Sequence, residues 1–127
     1  MKNLDVMVSQ SGEVTKATIR NVRNIMFADA VRIIVKKFPL DHFEKALLIS
    51  LMRTSRYLRA TTDTICVTTR PLNNDVFSEA EGYLAAVLKA KRAYNKRVAK
   101  LTCEMCDHLG FLKRFPCVMQ DDMSVEA

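Results

Sequence analysis

The stretch SEAEGYLAAVLKAKRAYNKRVAKLTCEMCDHL, residues 78–109, carries the strongest periodic signal in the chain. Ser78 followed by Glu81 forms a capping-box pattern, so we expect a helix to start at about Ser78. Spacings of three and four then alternate over about four repeats, which is typical of a heptad seam. The seam residues are Leu84, Val87, Lys91, Tyr94, Val98, Leu101, Met105, His108 and Leu112. The stretch predicts a long amphipathic helix, in which a turn could be hidden only around Asn95.

The residues before this helix also predict helical structure, because only three glycines and three prolines interrupt the whole chain. From Val14 to Lys37, apolar residues recur at spacings of four and three, which indicates a first helix. Its stripe is formed by Val22, Met26, Ala30 and Ile33. Pro39 then ends the helix, since the residue before a proline is pushed out of the α region.

A second helix is predicted after Pro39, because Asp41 and Glu44 form another capping-box pattern. One face of this helix would carry Phe43, Leu47, Leu51, Leu58 and Ile65. The following residues TTDTICVTT, 61–69, are rich in β-branched side chains, so the helix end either frays or becomes extended. At the N-terminus, residues 1–12 read as an arm or a short strand followed by a polar turn.

Taken together, these segments predict an all-α fold, a helical bundle of three or four helices with a long amphipathic C-terminal helix. The 127 residues, 49% of them hydrophobic, are suited to a single domain spanning 1–127, with 117–127 as a flexible tail. The seam is longer than a chain of this size readily covers, and Lys91 and His108 lie within it. We therefore expect a homo-oligomer.

The charge balance narrows the classes of partner. Twenty Lys and Arg against fourteen Asp and Glu give a net charge of +6. This favours nucleic acid, an acidic protein or an anionic membrane surface. The first residues do not form a secretory signal, and no apolar run approaches the roughly 18 residues that cross a bilayer. The sequence thus predicts a soluble, cytoplasmic (intracellular) protein with no membrane association.

Positive charge is concentrated in KAKRAYNKRVAK, residues 89–100, which holds six of the twenty basic residues and no acid. At 100° per residue, four of them fall within an arc of about 80° roughly opposite the seam. We call this set the basic stripe: Lys89, Arg92, Lys96 and Lys100. A solvated outer helix face is the alternative explanation, but such faces usually mix signs, and no acid occurs from Gly82 through Cys103.

Further basic residues gather on one face of the predicted second helix, and Arg97 flanks the basic stripe. The predicted phosphate contacts are Arg53, Arg56, Arg59, Lys89, Arg92, Lys96, Arg97 and Lys100. Tyr94 lies in the seam and not among the charges, so base stacking is not indicated. The set predicts sequence-independent contact with RNA or DNA.

A cluster near the C-terminus supplies the ligand types of a Cys3His zinc site, namely Cys103, Cys106, His108 and Cys117. In a continuous helix, however, His108 lies about 140° away from Cys103, so the ligands cannot converge unless the helix breaks. Buried thiols are the alternative. The sequence shows no phosphate loop, zinc-protease pair or nucleophile elbow, so we expect a protein that is not an enzyme and uses no cofactor.

Two stretches carry a family resemblance. KKFPLDHFEKALLISLMRTSRYL, residues 36–58, contains a helix ending in Phe-Pro, a short polar link, an aromatic residue, and Leu and Arg at helical spacing. KLTCEMCDHLGFLKRF, residues 100–115, ends in a Leu-Gly-aromatic-apolar pattern followed by basic residues. These stretches resemble a bacterial and phage family of four-helix bundles that includes the accessory variability determinant of diversity-generating retroelements. The resemblance implies a basic helical pentamer that binds a reverse transcriptase and template RNA.

The function expected from the sequence is therefore that of a basic accessory protein that binds RNA or DNA and positions it for a partner enzyme, such as a polymerase or reverse transcriptase. The alternative is a protein-interaction adaptor, such as a viral or phage regulator, that docks through an exposed heptad face. Salt dependence separates the two, because phosphate contacts weaken steeply with added salt.

Overall fold

The computed structural model describes residues 4–71 and 78–109, without the side chains of residues 108 and 109. The elements follow the order β1 (Val6–Ser11), β2 (Val14–Arg20), α1 (Val22–Lys37), α2 (His42–Thr54), α3 (Arg56–Ala60), β3 (Thr64–Thr69) and α4 (Glu79–Leu109). The fold is mixed α/β. The predicted all-α helical bundle is therefore wrong, and so is the four-helix bundle implied by the family resemblance.

The three strands form one antiparallel sheet in the order β1-β2-β3. Residues 14–20, VTKATIR, belong to its central strand and not to a helix, because their burial alternates with the period of two that a half-buried strand requires. Thr15, Ala17 and Ile19 face the core, while Lys16 and Arg20 face outward. A two-residue turn joins β1 to β2, and its Gly12 has a φ of 62°, a conformation that glycine adopts without strain.

Helix α1 starts immediately after β2, with Asn21 in the left-handed region and without a side-chain cap. Asp63, which precedes β3, caps the helix from a distance. The Asp63 carbonyl accepts the Val22 N–H at 3.0 Å, and its Oδ1 accepts the Arg23 N–H at 3.1 Å. These bonds satisfy N–H groups that a helix start leaves without partners. They also attach the start of α1 to the start of β3.

The predicted helix boundaries around Pro39 are confirmed. Helix α1 ends at Lys37, and Phe38 is extended. At the start of α2, the Asp41 side chain accepts the Glu44 N–H at 2.8 Å, and the Glu44 side chain accepts the Asp41 N–H at 3.0 Å. The capping box is thus complete.

The second predicted helix is not continuous. It breaks at Ser55, whose backbone is extended and whose hydroxyl accepts the Leu58 N–H at 3.0 Å to cap α3. Glu104 of α4 holds this break in place: one carboxylate oxygen accepts from the Ser55 hydroxyl, and the other accepts the Tyr57 N–H at 2.8 Å. The extended alternative for residues 61–69 is the correct one, since Thr64–Thr69 form β3.

The long C-terminal helix is confirmed, and it runs through Asn95 without a break. Its start is also as predicted, since the Glu81 N–H lies 3.4 Å from the Ser78 hydroxyl. The buried side of α4 packs on the sheet and on α1. The residues of its buried apolar stripe are Ala86, Ala90, Tyr94, Val98, Leu101 and Met105.

The predicted seam is therefore correct only in the second half of α4. In the first half the buried residues are Ala86 and Ala90, while Leu84 is 59% exposed. On α2, likewise, Leu48 and Leu51 are buried, but Phe43 is 71% exposed. The predicted apolar face of the second helix was thus wrong in its first turns.

A buried polar network joins α1 to α4. The Tyr94 hydroxyl donates to the Asp29 carboxylate, which also accepts from Arg32 at 2.6 Å. Tyr94 and Asp29 are 0% and 2% exposed. Burial raises the pKa of Tyr94 well above its usual range, and the bond to Asp29 raises it further. Tyr94 therefore stays protonated and keeps the buried carboxylate supplied with a donor.

No helix in the described ranges has both the length and the apolar character that crossing a membrane requires. The predicted tail, residues 117–127, lies outside the described residues. The first strand, Val6–Ser11, corresponds to the short strand that the sequence offered as one interpretation of residues 1–12.

Candidate nucleic-acid interface

The basic stripe lies on the surface of α4 that faces away from the core. All four of its residues are exposed, and they follow one another at about one helical turn, roughly 5.4 Å along the axis. Within the described residues, no hydrogen bond or ion pair joins the side chains of Arg92, Lys96 or Lys100 to another residue. Their charges therefore point into solvent and can meet an anionic ligand.

Lys89 and Arg97 have additional contacts that fix them against the β3 edge of the molecule. The Lys89 ammonium group donates to the Thr68 carbonyl at 2.9 Å. The Arg97 guanidinium donates to the Thr62 carbonyl at 2.9 Å and to the Thr62 hydroxyl at 3.2 Å. Because these partners are neutral, the contacts restrict the conformations of both side chains without placing a carboxylate against either of them.

The acid nearest to the stripe along α4 is already engaged. Glu104 accepts from the Ser55 hydroxyl and the Tyr57 N–H. The other described acids of this helix are Glu79 and Glu81 at its start and Asp107 near its end. The middle of α4 thus presents positive charge that no carboxylate of its own helix neutralises.

Helix α3 brings a second group of predicted residues towards this surface. Its start is attached to Glu104, one turn beyond Lys100, and Arg56 is exposed there. Tyr57, which sequence reasoning missed, lies beside Arg97. Burial raises the pKa of Tyr57, and the Arg97 charge opposes that rise. Arg56 and Arg97 therefore belong to the same region as the stripe.

Arg59 and Arg53 occupy different places. Arg59 lines a cleft of about 330 Å³ on the α1 side of the loop that precedes β3, and Arg53 lies on α2 before the break at Ser55. The cleft is lined by Arg23, Asn24, Met52, Leu58, Arg59 and Asp63. Two of its polar groups are used for structure, because Asp63 caps α1 and Arg23 donates to the Thr61 carbonyl at 2.7 and 2.9 Å.

The cysteines do not form a metal centre with other described residues, since no three His, Cys, Asp or Glu side chains come together there. Cys106 is buried and Cys103 is half-buried. Burial raises the pKa of the Cys106 thiol to about 12, with smaller contributions from Cys103 and Asp107. Cys117 and the His108 side chain lie outside the described residues.

The outer face of the sheet carries two basic residues that sequence reasoning did not select, Lys16 and Arg20. They alternate with Thr18 on the central strand, opposite Thr68 and Thr64 of β3. The period-two alternation of VTKATIR was the signal that could have revealed them. They lie on the sheet face away from α4, so they do not extend the basic stripe.

No family model, curated protein or solved structure matches this chain.

Proposed function

We propose that the chain binds RNA or DNA through the phosphate backbone, using the exposed middle of α4 as its principal contact. The observation that carries this proposal is the basic stripe. Its residues are exposed and follow one another at about one helical turn, and no acid occurs on α4 from Gly82 through Cys103. A nucleic-acid backbone is a regular row of negative charges that such a row of cations can neutralise.

Two kinds of residue contribute differently to this binding. Arg92, Lys96 and Lys100 reach the phosphates directly, and the flexible side chains adapt to their spacing. Lys89 and Arg97 are held by the carbonyls of Thr68 and Thr62, so they extend the positive surface from the helix to the β3 edge. Arg56 continues it onto α3. Arg53 and Arg59 lie outside this continuous positive surface.

This arrangement favours binding that ignores base sequence. Lysine and arginine side chains on an exposed helix recognise phosphates by charge, and release of counterions supplies most of the free energy. Affinity should therefore fall steeply as salt concentration rises. A protein-interaction adaptor that docks through an apolar helix face would respond far less to salt.

The experiment that tests the proposal is fluorescence anisotropy with single-stranded RNA, single-stranded DNA and duplex DNA at several salt concentrations. The double variant Arg92→Glu and Lys96→Glu should bind all of them more weakly. Its slope of log affinity against log salt should be smaller by roughly one for each phosphate that the variant no longer neutralises. The fold should persist, because exposed substitutions typically change stability by about 0.5 kcal/mol or less.

The matched control is Lys16→Glu with Lys36→Glu, which makes the same change in net charge at two exposed residues away from the stripe. If both double variants lose equal affinity, binding reflects net charge alone and the stripe is not the site. If the wild-type protein binds none of the three nucleic acids at low salt, the proposed function is wrong.

A further inference from the structure

The first half of α4 presents a second surface, distinct from the basic stripe, which we call the pairing face. It consists of Glu81, Leu84, Leu88 and Lys91. On a helix these four positions fall within an arc of about 80°. Leu84 and Leu88 are 59% and 37% exposed, which is unusual for leucines that follow one another on one helix face.

The pairing face ends where the chain's own core begins to cover the same side of α4. Asn95, the next residue at heptad spacing, is only 7% exposed. Lys91 is half-buried, whereas Glu81 is exposed at the start of the helix. Within the described residues neither charged side chain has an ion-pair partner. The face is thus a short, open strip with an acid at one end and a base at the other.

The order of these residues is symmetric about position 86. Leu84 and Leu88 lie two residues to either side of it, and Glu81 and Lys91 lie five residues to either side. When two copies of such a helix lie antiparallel and cross at position 86, each leucine meets the other leucine of the partner copy. Each Glu81 then meets a Lys91. A surface that matches itself in this way is what a two-fold dimer requires.

We propose that a second copy of this chain covers the pairing face, forming an antiparallel α4–α4 contact about position 86. The leucines supply apolar burial, with half-buried Val87 beside them. The two Glu81–Lys91 pairs at the rim fix the antiparallel register, because a parallel arrangement would place like charges opposite each other. Exposed pairs of this kind contribute specificity more than affinity.

This dimer has a consequence for the basic stripe. The two-fold axis of this dimer passes between the two helices and is perpendicular to both. Rotation about it carries the upper side of one helix onto the upper side of the other. The stripe is centred about 100° around the helix from the pairing face, so both stripes face the same side of the dimer. The pairing itself does not depend on nucleic-acid binding, and its test needs no nucleic acid.

The mass of the full chain in solution, measured by sedimentation equilibrium, provides the first test. We expect a monomer–dimer equilibrium, with dimer predominating at concentrations on the order of 100 μM. The variant Leu84→Ser with Leu88→Ser should be monomeric and folded, since both leucines are exposed. The control Phe43→Ser with Ile49→Ser removes exposed apolar side chains from α2 and should leave the dimer intact.

Charge exchange tests the register. Glu81→Lys alone and Lys91→Glu alone should each weaken the dimer, because each variant places like charges opposite each other. The two single variants mixed together should form a heterodimer in which every lysine of one copy meets a glutamate of the other, so it should be tighter than either homodimer. The double exchange Glu81→Lys with Lys91→Glu should restore the homodimer, since every Lys again meets a Glu.

Two results would overturn the proposal. A monomeric wild-type chain at these concentrations would leave the pairing face to a different protein. A dimer that persists in the leucine variant and ignores the charge exchanges would place the contact elsewhere on the molecule. Neither result bears on the proposed nucleic-acid binding, which is tested separately by the salt dependence of the affinity for nucleic acid.

Discussion

Tyr94 shows how a single residue links the core to the helix that carries the proposed binding surface. Its hydroxyl donates to the buried Asp29 carboxylate, while the basic stripe lies on the opposite side of the same helix. A buried carboxylate is costly unless it is hydrogen-bonded or paired, and Arg32 alone supplies the other contact among the described residues. Tyr94 therefore anchors the buried side of α4 to α1, and the basic stripe lies on the side of the helix turned away from this contact.

Substitution Tyr94→Phe tests this role. The variant keeps the ring but removes the donor to Asp29, so we expect a loss of about 1–3 kcal/mol in the free energy of unfolding. Urea denaturation followed by circular dichroism measures it. Tyr83→Phe is the control, because Tyr83 is 53% exposed and should change stability by less than about 0.5 kcal/mol. Equal effects of the two substitutions would contradict the role assigned to the network.

At the scale of elements, the contact between the α2–α3 break and α4 is one feature that the sequence did not predict. Ser55 stands within a sequence that continues the helical spacing, and neither Gly nor Pro marks the break. The break exists because Glu104, nearly fifty residues later, accepts from both Ser55 and Tyr57. A tertiary contact of this kind has no local signature.

Removing that carboxylate should loosen the attachment of α3. We expect Glu104→Ala to lower the free energy of unfolding by about 2 kcal/mol, since the hydrogen bonds involve a charged acceptor and serve a half-buried backbone N–H. Glu104→Gln keeps one acceptor oxygen and should lose less. Chemical denaturation measures both variants, and hydrogen exchange at Tyr57 and Leu58 should quicken in the alanine variant. Unchanged exchange at those two amides would show that Glu104 does not hold α3.

Sequence reasoning succeeded where structure depends on neighbouring residues and failed where it depends on distant ones. The Asp41–Glu44 capping box, the end of α1 before Pro39 and the start and length of α4 are local features, and all were predicted, although the sequence left a turn near Asn95 open. The strand at residues 14–20 was missed because its apolar residues continue into those of α1, so two periodicities were read as one. Its status as a strand depends on pairing with β1 and β3.

The candidate site also combines features that depend on neighbouring residues, which were predicted, with features that depend on distant residues, which were not. The exposure of the basic stripe follows from helical geometry alone, so its four residues were placed correctly. The contacts of Lys89 and Arg97 with β3 and the residues preceding it could not be foreseen, because a bundle was expected where the sheet lies. The phase of the seam in the first half of α4 was wrong for a related reason. Close packing on a sheet selects alanine for the buried positions and leaves the leucines outside.

At the scale of the whole molecule, the two proposals together define the length of nucleic acid that the protein can hold. One stripe extends from Lys89 to Lys100, roughly 16 Å along the helix axis at 1.5 Å per residue. In the antiparallel pair, Lys100 of each copy lies 14 residues from the centre at position 86. The two outermost lysines are therefore about 42 Å apart along the axis.

This geometry predicts that dimerisation affects long ligands and spares short ones. The variant Leu84→Ser with Leu88→Ser separates the copies without changing any charge. It should bind a short oligonucleotide, of a length that one stripe covers, with wild-type affinity. It should bind an oligonucleotide long enough to span about 42 Å more weakly than the wild-type protein does. The slope of log affinity against log salt should be about half that of the wild type, because one stripe and not two then neutralises phosphates. Anisotropy titrations with both lengths, above the concentration at which the wild-type protein dimerises, measure the difference.

An equal loss of affinity for both lengths would show that the leucines support the fold or the stripe itself. No loss for either length would show that the two stripes act independently.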